Sequence, residues 1–238
     1  MSKRAVILAG GRGTRLRPYT VVLPKPLMPI GDYPILEVIV RQLAARDFGH
    51  ITIAVNHQAN LIKAFFGDGS SWGVRIDYSV ESRPLSTIGP LHLIRDLPDA
   101  FLLMNGDVLT DLPFDSVLAA HTSSGSLFTV AAFRRTHTID YGVLETDEGG
   151  QLTAFREKPT VDYTVSMGVY GVSREVLSLV PAGEPYGFDS LMRDLLVRGE
   201  RVHVYPHQGY WADIGRPDDY MEAIDEFERL KARLLPNE

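Results

Sequence analysis

Three glycines and three arginines fall between positions 10 and 17, in the run Gly10-Gly11-Arg12-Gly13-Thr14-Arg15-Leu16-Arg17. A lysine, Lys25, follows between Pro24 and Pro26. Glycine lets backbone N–H groups approach a ligand closely and point one way. Arginine offers a planar fork of donors that matches phosphate oxygens. Together they are suited to cradle a polyphosphate; the competing reading is a tight turn with solvated arginines. Crowded guanidinium groups repel one another unless an anion or nearby acids neutralise them. The two prolines fix the direction of Lys25, because each sets its own φ and restricts the residue before it. On its own, Lys25 is equally a surface lysine in a proline-rich loop.

A sheet must hold such a loop. Arg4–Leu8 is a branched, apolar run that predicts a buried strand, with Leu8, Ala9 and Gly10 leading out of it. A helix is expected over Pro34–Arg46, where Leu36, Ile39, Val40 and Leu43 form one stripe. Strands are expected at Ile51–Val55, Val74–Val80 and Phe101–Met104, and helices at Gln58–Phe66 and Ser86–Leu97. This alternation implies parallel strands with right-handed crossovers, and ligands at the carboxyl ends of the strands. Gly10-Gly11 and Asp107 each directly follow a strand, so they can meet in space. The second half changes rhythm. It predicts a helix at Phe114–His121, strands at Ser126–Phe133, Thr164–Val172 and Arg201–Tyr205, and a helix at Phe188–Arg198. Tyr141–Thr146 and Gln151–Arg156 flank Asp147-Glu148-Gly149-Gly150, a hairpin signal. A last helix is expected over Pro217–Leu234 with Tyr220, Ile224, Phe227 and Leu230 on its apolar face. The expected architecture is α/β: a Rossmann-like, mostly parallel mixed sheet flanked by helices, with an antiparallel hairpin insert, in one domain over 1–238.

Composition narrows the partners. The chain has 238 residues, a net charge of −6 and no cysteine. An acidic balance argues against a general nucleic-acid binder, which needs a basic field. The lack of cysteine removes disulfides and thiolate metal sites. The apolar run before Gly10 is too short for a signal peptide, and no run approaches membrane-spanning length, so a soluble cytoplasmic protein is expected. Seven histidines are scattered without metal-ligand spacing and are read as structural or surface residues. No apolar stripe fixes an oligomeric state, and a homo-oligomer stays open.

The Gly10–Leu16 run with Pro18, and Lys25-Pro26 ten residues after Arg15, resembles the signature of sugar-1-phosphate nucleotidyltransferases. A Walker A loop does not fit, since no Lys-Ser/Thr follows the last glycine. Pro84-Leu85-Ser86-Thr87-Ile88-Gly89, Asn105-Gly106-Asp107, Tyr141-Gly142, Glu157-Lys158-Pro159, Gly168-Val169-Tyr170 and Trp211-Ala212-Asp213-Ile214-Gly215 also follow the family's order. The resemblance implies a GT-A-like fold, about 1–110 binding nucleotide and about 111–238 binding sugar. It implies a reaction in which a sugar 1-phosphate attacks the α-phosphorus of a nucleoside triphosphate and releases pyrophosphate.

The residue roles below are what that resemblance implies. Arg15 braces the triphosphate, and Leu8, Ala9, Gly10, Gly11, Gly13 and Thr14 form the cradle. Lys25 neutralises phosphate charge. Asp107 and Asp213 hold Mg²⁺, which takes one or two carboxylates plus substrate phosphates; for each alone, a turn acid is the commoner role. Glu81, Ser86, Thr87 and Gly106 border the nucleoside. Tyr141, Gly142, Glu157, Lys158 and Gly168 form the sugar-phosphate side; a surface ion pair competes for Glu157 and Lys158, and a structural glycine for Gly168. Arg12 and Arg17 are weaker candidates, and Trp211 is expected to pack under the metal loop. An ionised Glu81 only accepts hydrogen bonds, which favours guanine, with N1–H and N2–H₂ on one edge, so GTP is expected. Ser86 and Pro90 depart from the family pattern, and UTP or dTTP remain alternatives, as does a non-catalytic nucleotide-sugar-binding subunit. The chain stops at Glu238 without an added C-terminal region, which favours the short guanylyltransferases acting on heptose or mannose 1-phosphate.

Overall fold

A computed structural model describes residues 3–56 and 58–235. His57, one of the seven histidines, and the chain end at Glu238 lie outside the described residues. The first strand, β1 (Arg4–Leu8), is followed by a long loop with a two-strand turn, β2 (Pro29–Ile30) and β3 (Tyr33–Pro34), and by α1 (Ile35–Ala44). Then come β4 (His50–Val55), α2 (Ala59–Phe66), β5 (Arg75–Val80), β6 (Ala100–Asn105), β7 (Val108–Thr110) and α3 (Phe114–Ser124). The second half holds β8 (Phe128–Thr138), a hairpin of β9 (Val143–Thr146) and β10 (Leu152–Arg156), and β11 (Thr160–Ser173). It ends with α4 (Phe188–Val197), β12 (Val202–His207), β13 (Trp211–Asp213) and α5 (Pro217–Leu234).

Seven strands form the main sheet in the order β12-β8-β11-β6-β1-β4-β5. Neighbours are parallel throughout except at β11, which runs against both β6 and β8. The chain moves from β1 outward to β4 and β5 on one side, and to β6 on the other. Between β1 and β6 lies the point where the strand order reverses, the place where such sheets bind ligands.

Side-chain alternation divides the core between two faces. Ala5, Ile7, Leu102 and Met104 point into a cluster with Leu36, Ile39 and Leu43 of α1, Phe114 of α3 and Phe227 of α5. Val6, Phe101 and Leu103 point the other way, onto Leu191 and Leu195 of α4. The result is a helix–sheet–helix sandwich. Among the described residues no helix is long and apolar enough to cross a membrane.

The expected helix over Ser86–Leu97 does not form; only a 3₁₀ turn at Gly89–Leu93 is present. Ser86 sits at φ +65°, Pro90 lacks an N–H, and the N–H groups of Ile88 and Gly89 both donate to Tyr186 O at 3.0 Å. Those donors hold the segment to the start of α4 and are lost to a helix. Beyond the main sheet, β8 and β11 continue as a two-stranded ribbon carrying the β9–β10 hairpin.

Candidate active site

Leu8 and Asn105 are register partners at the ends of β1 and β6, so the chain leaves both strands side by side. Gly106 N–H donates to Leu8 O at 2.9 Å. Asp107 comes next, and β7 then pairs antiparallel with β13, setting Val108 opposite Asp213. Ile214 N–H donates to Asp107 O at 3.1 Å. One three-residue ladder thus brings two acids from distant parts of the chain to the same rim.

The loop after β1 supplies the cations. A 3₁₀ turn at Thr14–Leu16 is anchored by the fully buried Leu16. Thr20 Oγ1 donates to Gly13 O at 2.7 Å and folds the loop back toward Lys25. Lys25 opens a second 3₁₀ turn and is only 9% exposed. Its ammonium donates to Asp107 Oδ2. Arg15 arrives beside the other acid: a side chain begun at Gly215 would lie 3.5 Å from both Arg15 Nη2 and Asp213 Oδ2. Arg15, Lys25, Asp107 and Asp213 therefore share one site.

The two carboxylates are in tension. Burial pushes the Asp213 carboxyl above the usual carboxylate range, and the charge of Asp107 adds to this, against Lys25 and Arg15. Asp107 Oδ1 is buried and, among the described residues, has no hydrogen-bond partner. An unsatisfied carboxylate oxygen beside a second acid is a donor set that suits a hard divalent cation.

A cleft of about 440 Å³ opens over Gly10 and Gly11 and ends at Asn105 and Asp107. Leu8, Arg12 and Asn56 border one part of it, and Glu81, Ser86 and Thr87 another. Close approach explains Gly10: a side chain there would meet Glu81 Oε1 at 3.0 Å and Asn56 Cβ at 3.3 Å. Glu81 is buried, and its Oε2 accepts Leu85 N–H at 3.0 Å. Burial pushes its carboxyl up, opposed by that bond and by one from the Asn56 side chain. Glu81 thus both borders the cleft and pins the loop that carries Ser86. The Ser86 hydroxyl turns toward α4, 3.1 Å from where a side chain at Gly187 would begin. Thr87 Oγ1 accepts Phe188 N–H at 2.8 Å, tying the same loop to α4.

The sequence profile of the family described as nucleotidyl transferase matches residues 4–229. This chain belongs to that family. It is 32% identical to a UTP–glucose-1-phosphate uridylyltransferase of Synechocystis, over 93% of this chain and 62% of that protein. It is 33% identical to a mannose-1-phosphate guanyltransferase of Schizosaccharomyces pombe, over 92% of this chain and 62% of that protein. The chain spans about 62% of the length of these curated relatives. The solved structure of HddC from Yersinia pseudotuberculosis matches the fold with a TM-score of 0.74 at 24% identity, covering 95% of this chain and all of that one.

The remaining expected residues are placed less uniformly. Gly168 lies at the site: its φ is +74°, and a side chain there would meet Asn105 Nδ2 at 2.7 Å. Tyr141 is 78% exposed, and Glu157 and Lys158 are exposed on the ribbon, outside the cleft. Gly142 lies against Glu157, 3.2 Å from its Oε2 to where a side chain would begin. Arg12 borders the cleft, and Trp211 packs against the core cluster that includes Val108 and Leu109, just past Asp107. Its ring leans on Phe133, with centroids 5.6 Å apart, and its Nε1–H donates to Met167 O at 3.0 Å. Asn56 is a site residue that sequence reasoning missed, because nothing in its local pattern marks it. His50, Asp77 and Asp96 also converge, at the opposite end of the sheet. There the buried Arg4 guanidinium pairs with His50 and Asp96 and donates to Thr52, so that cluster already holds a cation.

Proposed function

We propose that this protein transfers a nucleotidyl group from a nucleoside triphosphate, GTP by preference, to a sugar 1-phosphate and releases pyrophosphate. The observation that supports it most is the meeting of Arg15, Lys25, Asp107 and Asp213 beside a cleft floored by glycines. The base would lie against Glu81, Ser86 and Thr87, and the triphosphate would run over Gly10, Gly11, Gly13 and Thr14. An oxygen of the sugar phosphate attacks the α-phosphorus, a new P–O bond forms, and the bond to the bridging oxygen of pyrophosphate breaks. No proton has to move to an enzyme side chain. Lys25 and Arg15 stabilise the charge gathering on the phosphoryl oxygens and the leaving group, and positioning supplies the rest. Asp107 and Asp213 would hold Mg²⁺, which supplies charge neutralisation and polarises phosphoryl oxygen when bound. Tyr141, Gly142, Glu157 and Lys158 would approach the sugar from the ribbon, with Gly168 at its root.

GTP is favoured because an ionised Glu81 has acceptor capacity beyond the bonds from Leu85 and Asn56, and guanine presents adjacent donors. The mannose-1-phosphate guanyltransferase relative agrees with this choice. A UTP-dependent reading draws support from the Synechocystis relative at nearly the same identity. Pyrophosphate release measured with GTP, UTP, dTTP, ATP and CTP against mannose 1-phosphate, glucose 1-phosphate and a heptose 1-phosphate decides between them. The expected result is turnover led by GTP; release with no pair would overturn the reading.

A further inference from the structure

A second cavity of about 350 Å³ lies on the Asp213 side of the acid pair, between the root of the ribbon and α5. Arg135 borders it together with Trp211 and Asp213. The Arg135 guanidinium lies over the Trp211 ring, 4.7 Å from its centroid. The two residues before it on the same strand explain the placement. Strand alternation puts Phe133 and Arg135 on one face of β8, and Phe133 touches the same indole. Arg134 and Thr136 also border the cavity, but their side chains are engaged, both donating to Asp162. Among the described residues, the Arg135 side chain makes no ion pair or hydrogen bond. Glu222 and Glu226 border the same cavity, yet the guanidinium is laid flat on the indole. Stacking orients the planar group and leaves its N–H edge open, which is the arrangement a phosphate takes bidentately.

We propose that Arg135 grips the phosphate of the sugar 1-phosphate from the Asp213 side, and so sets affinity for the second substrate; this rests on the nucleotidyl-transfer reading above. The cavity's chemistry is graded in the required sense. A guanidinium beside Asp213 meets the reacting phosphate, while Asp219 and Glu222 on α5 offer acceptors to sugar hydroxyls. Lys158, by contrast, is exposed on the ribbon and borders neither cavity.

Steady-state kinetics on the full chain test this, with the nucleotide that gives the best turnover and with mannose 1-phosphate or glucose 1-phosphate as the varied substrate. R135Q is expected to raise KM for the sugar 1-phosphate by about tenfold or more, with KM for the nucleotide within about twofold, because a charge-assisted pair to one substrate is lost. R193Q, whose arginine on α4 is held by Asp189 and borders neither cavity, is expected to leave both constants within about twofold. R135K keeps the charge without the planar fork and is expected to fall between R135Q and the unaltered enzyme; it also serves if R135Q melts early. A folded R135Q or R135K with unchanged sugar-phosphate KM overturns the assignment, and a K158A variant that alone raises it transfers the role to Lys158. Absence of turnover in the unaltered protein would instead count against the nucleotidyl-transfer reading itself.

Discussion

Lys25 Nζ donates to Oδ2 of Asp107, while Oδ1 of the same carboxylate is buried with no partner among the described residues. One oxygen is thus spoken for by the protein's own cation and the other is open. K25M removes this cation and leaves Asp107 unpaired; on the nucleotidyl-transfer reading it is expected to lower kcat by about 10²–10³. D107N keeps the shape but loses the anion, and should weaken Mg²⁺ binding as well as turnover. Pyrophosphate release and calorimetric titration of the free protein with Mg²⁺ check the two effects separately; near-normal kcat in K25M would contradict the assigned role.

Asp111, just after β7, ties β7 to the residue before β13. Its Oδ1 accepts Tyr210 N–H at 2.7 Å and His207 Nε2 at 2.8 Å, and its Oδ2 accepts from Arg233. Burial pushes this carboxyl up, but the bonds from Tyr210, Arg233 and His207 outweigh it and hold it below its usual value of 3.8. The folded state therefore binds fewer protons than the unfolded state between the two values, and stability rises with pH across that window. The contribution is present above the unfolded value and is lost as pH falls through the lower, folded one. D111N is expected to cost about 1–3 kcal/mol at neutral pH, with the gap to the unaltered protein closing in acid. Urea unfolding at several pH values measures it; a gap that widens toward acid would contradict the sign.

Ser86 occupies the left-handed region at φ +65° without glycine's freedom. S86G should relieve that strain and raise stability by up to about 1 kcal/mol. S86V, branched at Cβ, should lower stability and raise the nucleotide KM. Thermal melting and initial rates on both variants suffice; a marked loss in S86G would show that its hydroxyl contact with the Gly187 segment outweighs the strain.

Glu81 tests the base. E81Q replaces an acceptor-only group with one that also donates, while its carbonyl can still receive Leu85 N–H. The ratio of kcat/KM for GTP over UTP is expected to fall by about tenfold or more. An unmoved ratio would mean that this side chain only pins its loop.

Much of this arrangement was legible in the residues. Arg4–Leu8 and Pro217–Leu234 form as expected, because a branched apolar run and a long one-sided stripe each have one favourable packing. The glycine–arginine loop and Asp107 could be paired in advance because both follow strands of one parallel sheet. The ladder of Val108–Thr110 with Trp211–Asp213 could not: three residues carry no periodicity, and the pairing exists only through long-range contact. Asn56 was hidden for a related reason, since it is an ordinary polar residue just beyond β4 until the approach of Gly10 gives it direction. The segment 86–97 misled because apolar spacing alone mimics a helix, while its backbone donors were committed to Tyr186.

The reversed direction of β11 has an evolutionary consequence. Its start and the end of β8 overhang the rim where the cations and acids gather, while their far halves are locked into the sheet. The intervening hairpin is therefore free to be lengthened, shortened or resequenced without re-registering any core strand. On the nucleotidyl-transfer reading, new acceptor preferences could be acquired at that overhang while the glycine loop and the acid pair beneath stay untouched.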